Sequence, residues 1–502
     1  MIKKILIANR GEIALRIIRA CREMGIKSAA VYSAADITSL HTRLADESYY
    51  IGEAAVLQSY LNKTKIIELA KKIKADAIHP GYGFFSENPE FIKICEDEGI
   101  TFIGPSSKSV RMMGSKTAAR ELMSKSGVPI VPGTTKPITS LKEGLNSAKR
   151  IGFPILLKAA AGGGGKGMRK ITSEKEFSDA FEAAQREAMK AFGEDSIYIE
   201  KLIDNPRHIE VQVIADKFGN YAHIFERECS IQRRHQKIIE ESPSSFVDNE
   251  IRSKITLAAI NAAKACGYYN AGTIEFLMDS KKNFYFLEMN TRLQVEHPVT
   301  EFISGIDLVR EQISIASGKK LSFKQEELRI NGHAFESRIY AEDPENDFLP
   351  AAGVITEYKI PSGPGIRVDD GFGIGSEISI YYDPLISKLV CWSKDRTSAI
   401  DRMKRALSEY QIGGITNNIH FLKSIFDDEK FRKGEIDINY LEREFPNFNR
   451  SSKEDRNDQI LEDAAVIAAV LIKEKLTGKN HNSASREGRK IINNRWQDLS
   501  YE

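Results

Sequence analysis

Two carboxylates are predicted to face each other in a hairpin at residues 274–297. Two apolar, aromatic-rich runs flank a short polar segment there, which is typical of antiparallel strands joined by a loop. Pairing Phe276 with Leu287 fixes the register of the two strands. Glu275 then lies directly opposite Glu288, where like charges about 5 Å apart repel by roughly 3 kcal/mol. A divalent cation between them would reverse the sign of that interaction, so the pair indicates a metal site.

A run of polar side chains continues the second strand at a spacing of two. In an extended chain all of these side chains project to one face: Glu288, Asn290, Arg292, Gln294 and Glu296. The plain alternative is the solvated outer face of an amphipathic strand. The mixture of acid, amide and guanidinium, continuous with the opposed carboxylate pair, favours a functional face.

A glycine-rich loop runs from Gly162 to Met168, between two predicted strands, after Lys158. Its glycines let backbone N–H groups turn toward an anion, and Lys158 and Lys166 add positive charge. The spacing of a P-loop is absent. A flexible hinge is the alternative interpretation. A hairpin lid fits the flanking strands better, and a phosphoryl-transfer site needs such a lid to exclude water.

Further polar strands lie in the same predicted domain. Strict alternation over residues 207–213 places three polar side chains on one face, namely His208, Glu210 and Gln212. Residues 232–237 add cationic groups, and the strand at 331–338 ends in Arg338. Each of these features also has a structural interpretation: His208 as a core histidine, the arginines at 233 and 234 as a solvated pair, and Arg338 as a surface arginine. Cations in one domain with the carboxylate face are consistent with a site for anionic substrates.

The elements that must position these residues predict an α/β and α+β fold. Residues 1–114 open with strand, helix and strand, which predicts a doubly wound α/β domain. Residues 115–134 are predicted to be a linker, 135–203 a small lid module and 204–446 a larger α+β domain. The tail at 447–502 contains one apolar helix, which either packs on the main body or docks another subunit.

Composition argues against several classes of protein. Lysine and arginine number 72 against 70 acids in 502 residues, so the near-zero net charge argues against a general nucleic-acid or membrane-surface binder. The five cysteines are scattered without a Cys-x-x-Cys pair, which suits a reduced cytoplasm and argues against structural zinc. No apolar run approaches the roughly 18 residues that span a bilayer. We expect a soluble cytoplasmic protein.

Five segments together resemble biotin carboxylase in their order and spacing. They are Ile7–Ala14, His79–Phe84, Gly162–Met168, Gln232–Lys237 and Glu288–Pro298. The resemblance covers about residues 1–446 and implies an ATP-grasp fold, in which two α/β modules hold ATP between them. It also implies a reaction that needs Mg2+ or Mn2+. ATP phosphorylates bicarbonate to carboxyphosphate, which supplies CO2 to N1′ of biotin.

The resemblance assigns roles to matching positions of this sequence. The ATP-binding set would be Lys116, Lys158, Gly163, Gly164, Gly165, Gly167, Met168, Glu200, Lys201, Ile203, His208, Gln232 and His235. The metal ligands would be Glu275, Glu288 and Asn290. Bicarbonate would contact Lys237, Arg292, Gln294 and Val295, and Glu296 would remove its proton. Arg338 would stabilise the enolate of biotin, and Tyr82 and Gly83 would contact biotin.

The same resemblance implies partners. The Met-Lys-Met sequence that bears biotin is missing, so biotin is expected on a carrier protein or another biotinylated subunit. The tail is similar to segments that follow the carboxylase domain in acyl-CoA and pyruvate carboxylase subunits, so we expect it to dock onto a carboxyltransferase or carrier subunit. Arg19 and Glu23 match homodimer contacts of the family, and Arg367 is retained beside Pro364, which replaces an aromatic residue. A homodimer is expected.

Two other functions remain open from the sequence. One is an ATP-grasp ligase that forms carboxyphosphate and uses ammonia, and the other is a catalytically silent nucleotide-binding scaffold. The loop at Tyr82 and the strand to Arg338 favour biotin over the first alternative. The complete set of charged residues argues against the second. The final carboxyl acceptor, whether acetyl-CoA, propionyl-CoA or pyruvate, stays open.

Overall fold

The computed structural model describes residues 2–134, 136–159, 169–192 and 195–446. The glycine loop with Gly163, Gly164, Gly165, Gly167 and Met168 lies outside the described residues, as do the tail at 447–502 and the side chain of Lys116. Among the described residues, no helix has the length and apolar character needed to cross a bilayer.

The N-terminal part is built on a parallel sheet of order β3-β2-β1-β4-β5. Its elements are β1 Lys4–Ile7, α1 Gly11–Glu23, β2 Lys27–Ser33, α2 Leu40–Leu44, β3 Glu47–Gly52, α3 Lys63–Lys72, β4 Ala77–His79, α4 Pro89–Asp97, β5 Thr101–Phe102, α5 Ser107–Gly114 and α6 Lys116–Lys125. Ile5 and Ile7 pack with α1 in one core, whereas Leu6 packs with α3 and α4 in another. Both faces of β1 are therefore covered, which explains its uninterrupted apolar sequence.

The small module consists of a three-stranded antiparallel sheet and two helices. Its elements are α7 Leu141–Ile151, β6 Ile155–Ala159, β7 Arg169–Ile171, α8 Phe177–Phe192 and β8 Ile197–Lys201, with the sheet in the order β7-β6-β8. Strands β6 and β7 pair across the position of the glycine loop, so the predicted hairpin is confirmed. Phe177 and Phe181 of α8 are buried against Leu157 and Ile199 of the sheet.

The larger part is built on an antiparallel sheet of order β13-β12-β9-β10-β11-β14-β21-β19. Its elements are β9 Arg207–Ala215, β10 Tyr221–Arg233, β11 Gln236–Ser242, α9 Asn249–Ala265, β12 Asn270–Met278, β13 Phe284–Asn290, α10 His297–Ser304, α11 Leu308–Ala316, β14 His333–Tyr340, β15 Glu342–Asp343, β16 Leu349–Pro350, β17 Gly353–Val354, β18 Glu357–Lys359, β19 Ile366–Asp370, β20 Glu377–Ile378, β21 Leu385–Ser393, α12 Arg396–Glu409, β22 Gln411–Gly413, α13 Ile419–Asp427, α14 Glu429–Lys433 and α15 Tyr440–Glu444. Helix α9 packs on β9, β10 and β12.

The hairpin of β12 and β13 confirms one register prediction and corrects another. Glu275 lies opposite Glu288 as predicted. Phe276 pairs with Phe286, however, so its predicted pairing with Leu287 is wrong. Leu287 is the extra residue of a β-bulge, which is common on an edge strand such as β13.

The predicted extension of β13 to Glu296 is also wrong. The strand ends at Asn290, and after a turn the chain enters α10 at His297. Leu293 packs in the apolar core beside α1, whereas Glu296 is buried next to Lys237, and the turn after Asn290 allows both contacts. Pro298, in the first turn of α10, favours a helix start at this point.

Helix α1 joins the N-terminal part to the large sheet. Its Ile13 and Ile17 share one apolar core with Leu293 and Val299. The approach is close at Gly371, where a Cβ atom would lie 2.6 Å from the backbone nitrogen of Glu12. Glycine at this position therefore allows the N-terminus of α1 to contact the large sheet.

We predict that Phe181→Ala destabilises the protein by about 3–5 kcal/mol, because it empties the core of the small module. Urea unfolding followed by far-UV circular dichroism measures the change. Phe218, which is 58% exposed, provides the matched control, and Phe218→Ala is expected to change stability by less than about 0.5 kcal/mol. Equal effects of the two substitutions would contradict this description of the core.

Candidate active site

A row of four charged residues crosses the large sheet. From β10 to β13 the register places in line Arg227, Glu210, Glu275 and Glu288. Three neighbouring carboxylates would repel one another unless cations lie close to them. Arg227 provides one cation, since its Nε atom lies 2.5 Å from an oxygen of the fully buried Glu210.

Lys237 of β11 provides the second cation and contacts three carboxylates. Its Nζ atom lies 2.6 Å from Glu210, 2.8 Å from Glu275 and 2.7 Å from Glu296. Burial opposes the charge of Lys237, but the three carboxylates overcome that effect and raise its pKa well above the usual value. The ammonium therefore stays charged. It links β11, which carries it, to β9, β12 and the start of α10.

Glu296 is fully buried between cations. Lys237 contacts its Oε1 atom at 2.7 Å, and Arg338 contacts its Oε2 atom at 2.9 Å. Burial favours the neutral acid, but Lys237, Arg338 and Arg227 hold the pKa of Glu296 well below its usual value. Glu296 is therefore an ionised carboxylate at neutral pH, with a proton-accepting oxygen in a largely dry site.

Arg338 of β14 connects Glu296 to a further acid. Its Nε atom donates a hydrogen bond of 2.7 Å to Glu240 of β11, while its Nη2 atom donates to Glu296. Burial raises the pKa of Glu240 to about 7, although Arg338 lowers it. The guanidinium keeps its charge at every working pH, so it presents a fixed cation beside Glu296.

The segment after β13 positions two more predicted residues, Arg292 and Gln294. Arg292 donates to Glu87 at 2.8 Å, to Asn290 at 2.9 Å and to Gln294 at 3.1 Å. Gln294 in turn donates to Glu275 at 3.1 Å. The turn after Asn290, which replaces the predicted strand, thus brings Arg292 and Gln294 next to the row of carboxylates.

The predicted metal ligands fit a hard divalent cation. Glu275 and Glu288 face each other, and Asn290 ends the same strand. Carboxylate and amide oxygens are the donors that Mg2+ and Mn2+ prefer. His208 lies beside them, with its Nε2 atom 3.2 Å from Glu275. Lys237 and His208 hold the pKa of Glu275 well below its usual value against the effect of burial, so this oxygen donor is ionised.

The predicted nucleotide-binding residues lie in two places. In the small module, Glu200 bridges Arg120 at 2.8 Å and Lys158 at 2.5 Å. Lys201 donates to the carbonyl groups of Gly152 and Phe153. Ile203 is half-buried in the chain segment that leaves the module.

The second place is the hairpin of β10 and β11. Gln232 lies at the end of β10 and donates to the carbonyl of Cys229 at 2.8 Å. His235 is exposed in the hairpin turn, where Arg234 and His235 both have positive φ angles. This hairpin presents Lys237 to the carboxylates, whereas His235 lies outside that buried charge cluster.

A cavity of about 540 Å³ lies beside Arg338. The structure brings together at its wall five of the predicted bicarbonate and biotin residues, which are Tyr82, Gly83, Arg292, Val295 and Arg338. Aromatic side chains line other parts of the wall, namely Phe84, Tyr340, Phe372, Tyr381 and Tyr382. Tyr82 donates a hydrogen bond to Glu12, which also lines the cavity. The cavity combines an aromatic surface with the guanidinium groups of Arg292 and Arg338.

Four charged residues that the sequence patterns did not single out belong to this site. They are Glu87, Arg227, Glu240 and Lys388. Glu210 was predicted to share a strand face with His208 and Gln212, but the sequence assigned it no function. Arg227, Glu240 and Lys388 each lie inside a strand and are fully buried. A charged residue within a mostly apolar strand is almost always paired, and that signal could have found Lys388 in β21, whereas β10 and β11 contain too many polar residues for Arg227 and Glu240 to stand out.

Three protein-family profiles match the chain. They are the biotin carboxylase N-terminal domain over residues 1–110, the ATP-binding domain of the carbamoyl-phosphate synthase L chain over 115–324, and the biotin carboxylase C-terminal domain over 336–443. Together they span almost all of the described part of the chain.

Relatives are similar over most of their length. One pyruvate carboxylase subunit from Methanothermobacter thermautotrophicus is 53% identical over 88% of this chain and 90% of its own length. Biotin carboxylase 2 of Bacillus subtilis is 51% identical over 88% of this chain and 100% of its own length.

A solved structure has the same fold. The biotin carboxylase domain dimer of Hydrogenobacter thermophilus 2-oxoglutarate carboxylase, crystallised with MgADP and bicarbonate, is 49% identical, with a TM-score of 0.83. The match covers 88% of this chain and 98% of that one. The expected ATP-grasp fold and the resemblance stated from the sequence are both confirmed. The chain belongs to the biotin carboxylase family of ATP-dependent ligases.

Proposed function

We propose that the protein uses ATP and bicarbonate to carboxylate N1′ of biotin, and that Glu296 is the general base. The observation that supports this most directly is the burial of the Glu296 carboxylate between the cations of Lys237 and Arg338. Bicarbonate is a weak nucleophile until it loses its proton, so a carboxylate must face it. The bicarbonate oxygen then attacks the γ-phosphorus of ATP, ADP leaves, and carboxyphosphate forms.

Lys237, Arg292, Gln294 and Val295 bind bicarbonate in this proposal. Arg292 offers an N–H donor to an anion and Lys237 adds a positive charge beside it, and hydrogen bonds between charged groups are stronger than neutral ones. Arg292 is held by Glu87 and by two neighbouring side chains, which pre-orients its guanidinium. An oriented donor loses little conformational entropy when the substrate arrives.

The metal ion would be held by Glu275, Glu288 and Asn290. Mg2+ or Mn2+ supplies Lewis-acid stabilisation of the charge that accumulates on the phosphates. The ionised Glu275 provides the anionic ligand that such an ion needs, and Lys237 maintains that ionisation.

Nucleotide binding is assigned to the small module and the hairpin next to it. Lys158 and Lys116 would contact the phosphates together with the glycine loop at 162–168. The other residues of the proposed pocket are Glu200, Lys201, Ile203, His208, Gln232 and His235. Lys158 lies in β6, a few residues before the loop in sequence, and its ion pair with Glu200 supports assigning both residues to one phosphate-binding site.

Biotin is assigned to the cavity lined by Tyr82, Gly83 and Arg338. An apolar bicyclic ring suits the aromatic wall, and its ureido oxygen would accept hydrogen bonds from Arg338. Carboxyphosphate breaks its C–O bond to give CO2 and phosphate, the phosphate takes the proton from N1′, and N1′ then forms a bond with the carbon of CO2. The negative charge that develops on the ureido oxygen is stabilised by the fixed guanidinium.

The protein is proposed to work with other subunits. A biotin carboxyl carrier protein or another biotinylated subunit presents biotin, and a carboxyltransferase subunit consumes carboxybiotin. We also infer a homodimer, with Arg19, Glu23 and Arg367 at the contact, and docking of the 447–502 segment onto a partner subunit. The five cysteines are all buried free thiols, which supports a cytoplasmic location.

We predict bicarbonate-dependent ATP hydrolysis that free biotin accelerates several-fold, because biotin consumes the carboxyphosphate product. Coupled measurement of ADP release with and without bicarbonate and biotin tests this. Hydrolysis that is stimulated by ammonia and not by biotin would instead favour a ligase that uses ammonia. Absence of any ATPase activity would favour a silent scaffold.

We predict that Glu296→Gln lowers biotin-dependent turnover by about 100-fold or more, because the amide cannot accept the proton of bicarbonate. ATP affinity, measured by calorimetry, is expected to change by less than about three-fold. Glu311 of α11 is the matched control, since it is buried but accepts a hydrogen bond from Ser322, beyond the end of that helix. Glu311→Gln should leave turnover near that of the wild type. Near-normal turnover of Glu296→Gln would place the base elsewhere.

A further inference from the structure

Lys388 is a fully buried lysine of β21 that lies behind the cavity. Its Nζ atom donates a hydrogen bond of 2.9 Å to the carbonyl of Val295 and lies 3.1 Å from Glu12. Asp369 lies 3.8 Å away, and the ring of Tyr82 lies 6.0 Å away. These four groups belong to four separate segments of the chain.

The contacts of Lys388 converge on the wall of the cavity. Val295, Glu12 and Tyr82 all line the cavity, whereas Lys388 does not. The carbonyl of Val295 belongs to the peptide unit that leads into Glu296, so fixing it orients both residues. Glu12 also accepts the hydrogen bond of the Tyr82 hydroxyl, so fixing Glu12 orients the tyrosine on another wall.

Neighbouring carboxylates explain how a charged lysine can be buried in this position. Burial opposes its charge, but Glu12, Glu336 and Asp369 outweigh that effect and raise the pKa of Lys388. Arg338 and Arg367 are the cations nearby, and they are paired with Glu240 and Asp369. Lys388 is thus charged throughout the working pH range, and an ammonium with directional bonds can hold a carbonyl and a carboxylate in place.

We propose that Lys388 is a positioning residue for bicarbonate and biotin, acting through Val295 and through Glu12 with Tyr82. This inference rests on the proposed function, because it takes the cavity and Val295 as the places where those two substrates bind. Among the residues that the structure describes, the contacts of Lys388 given above involve none of those assigned to the nucleotide. Its loss should therefore affect bicarbonate and biotin while leaving ATP unaffected.

The test is steady-state kinetics of Lys388→Met, which keeps the length of the side chain and removes its charge and donors. The KM values for bicarbonate and for biotin are expected to rise about ten-fold or more. The KM for ATP is expected to stay within about two-fold of the wild type. A purely structural defect would instead lower the active fraction, and hence kcat, without this selective change in KM.

Two further variants keep the result interpretable. Arg252→Met removes a partly buried cation, paired with Glu226 at 2.8 Å, and neither residue lines the cavity, so its KM values should match the wild type. Should Lys388→Met fail to fold, Lys388→Met combined with Asp369→Asn removes one charge of each sign and is expected to show the same KM pattern.

Bicarbonate and biotin KM values within about two-fold of the wild type in the folded Lys388 variant would overturn the inference. An equal rise in the KM for ATP, or the same rise in Arg252→Met, would also overturn it. Failure of the proposed function is separate, because it would appear as a wild-type enzyme without bicarbonate-dependent, biotin-stimulated ATP hydrolysis.

Discussion

The ammonium of Lys237 is the interaction on which the rest of the site depends. It contacts Glu210, Glu275 and Glu296, three buried carboxylates that the sheet and α10 bring to one point. Removing one partner of such a cluster leaves uncompensated charge inside the protein, which costs about 3–5 kcal/mol. The carboxylates can be buried together because a lysine from a neighbouring strand lies between them.

The contacts of Lys237 also set the ionisation of the two carboxylates that the proposed reaction uses. A buried carboxylate would ordinarily take up a proton, and a protonated Glu296 could not act as a base. Cations on both sides keep Glu296 ionised while protein side chains replace most of the water around it. The same lysine keeps Glu275 ionised for a metal ion, so the proposed base and metal ligand depend on one charge.

Sequence patterns predicted the local elements better than the close contacts. The opposed pair of Glu275 and Glu288, the hairpin around the glycine loop and the parallel N-terminal sheet are all present. A period of two could not reveal the bulge at Leu287 or the end of β13, because both depend on packing between distant segments. Ion pairs such as Arg338 with Glu240 join separate strands, so their partners become apparent only when the register of the sheet is known.

The ionisation state of Glu296 is the most direct test of this description. Carbon-13 NMR of protein labelled at the glutamate carboxyl carbon, compared with Glu296→Gln, isolates the Glu296 resonance and its pH titration. The structure predicts that the pKa of Glu296 lies well below the usual value of a glutamate, and that it rises when Lys237 is replaced by methionine. A Glu296 resonance that titrates near neutral pH in the wild-type protein would contradict the central claim that Lys237 and Arg338 keep this buried base charged.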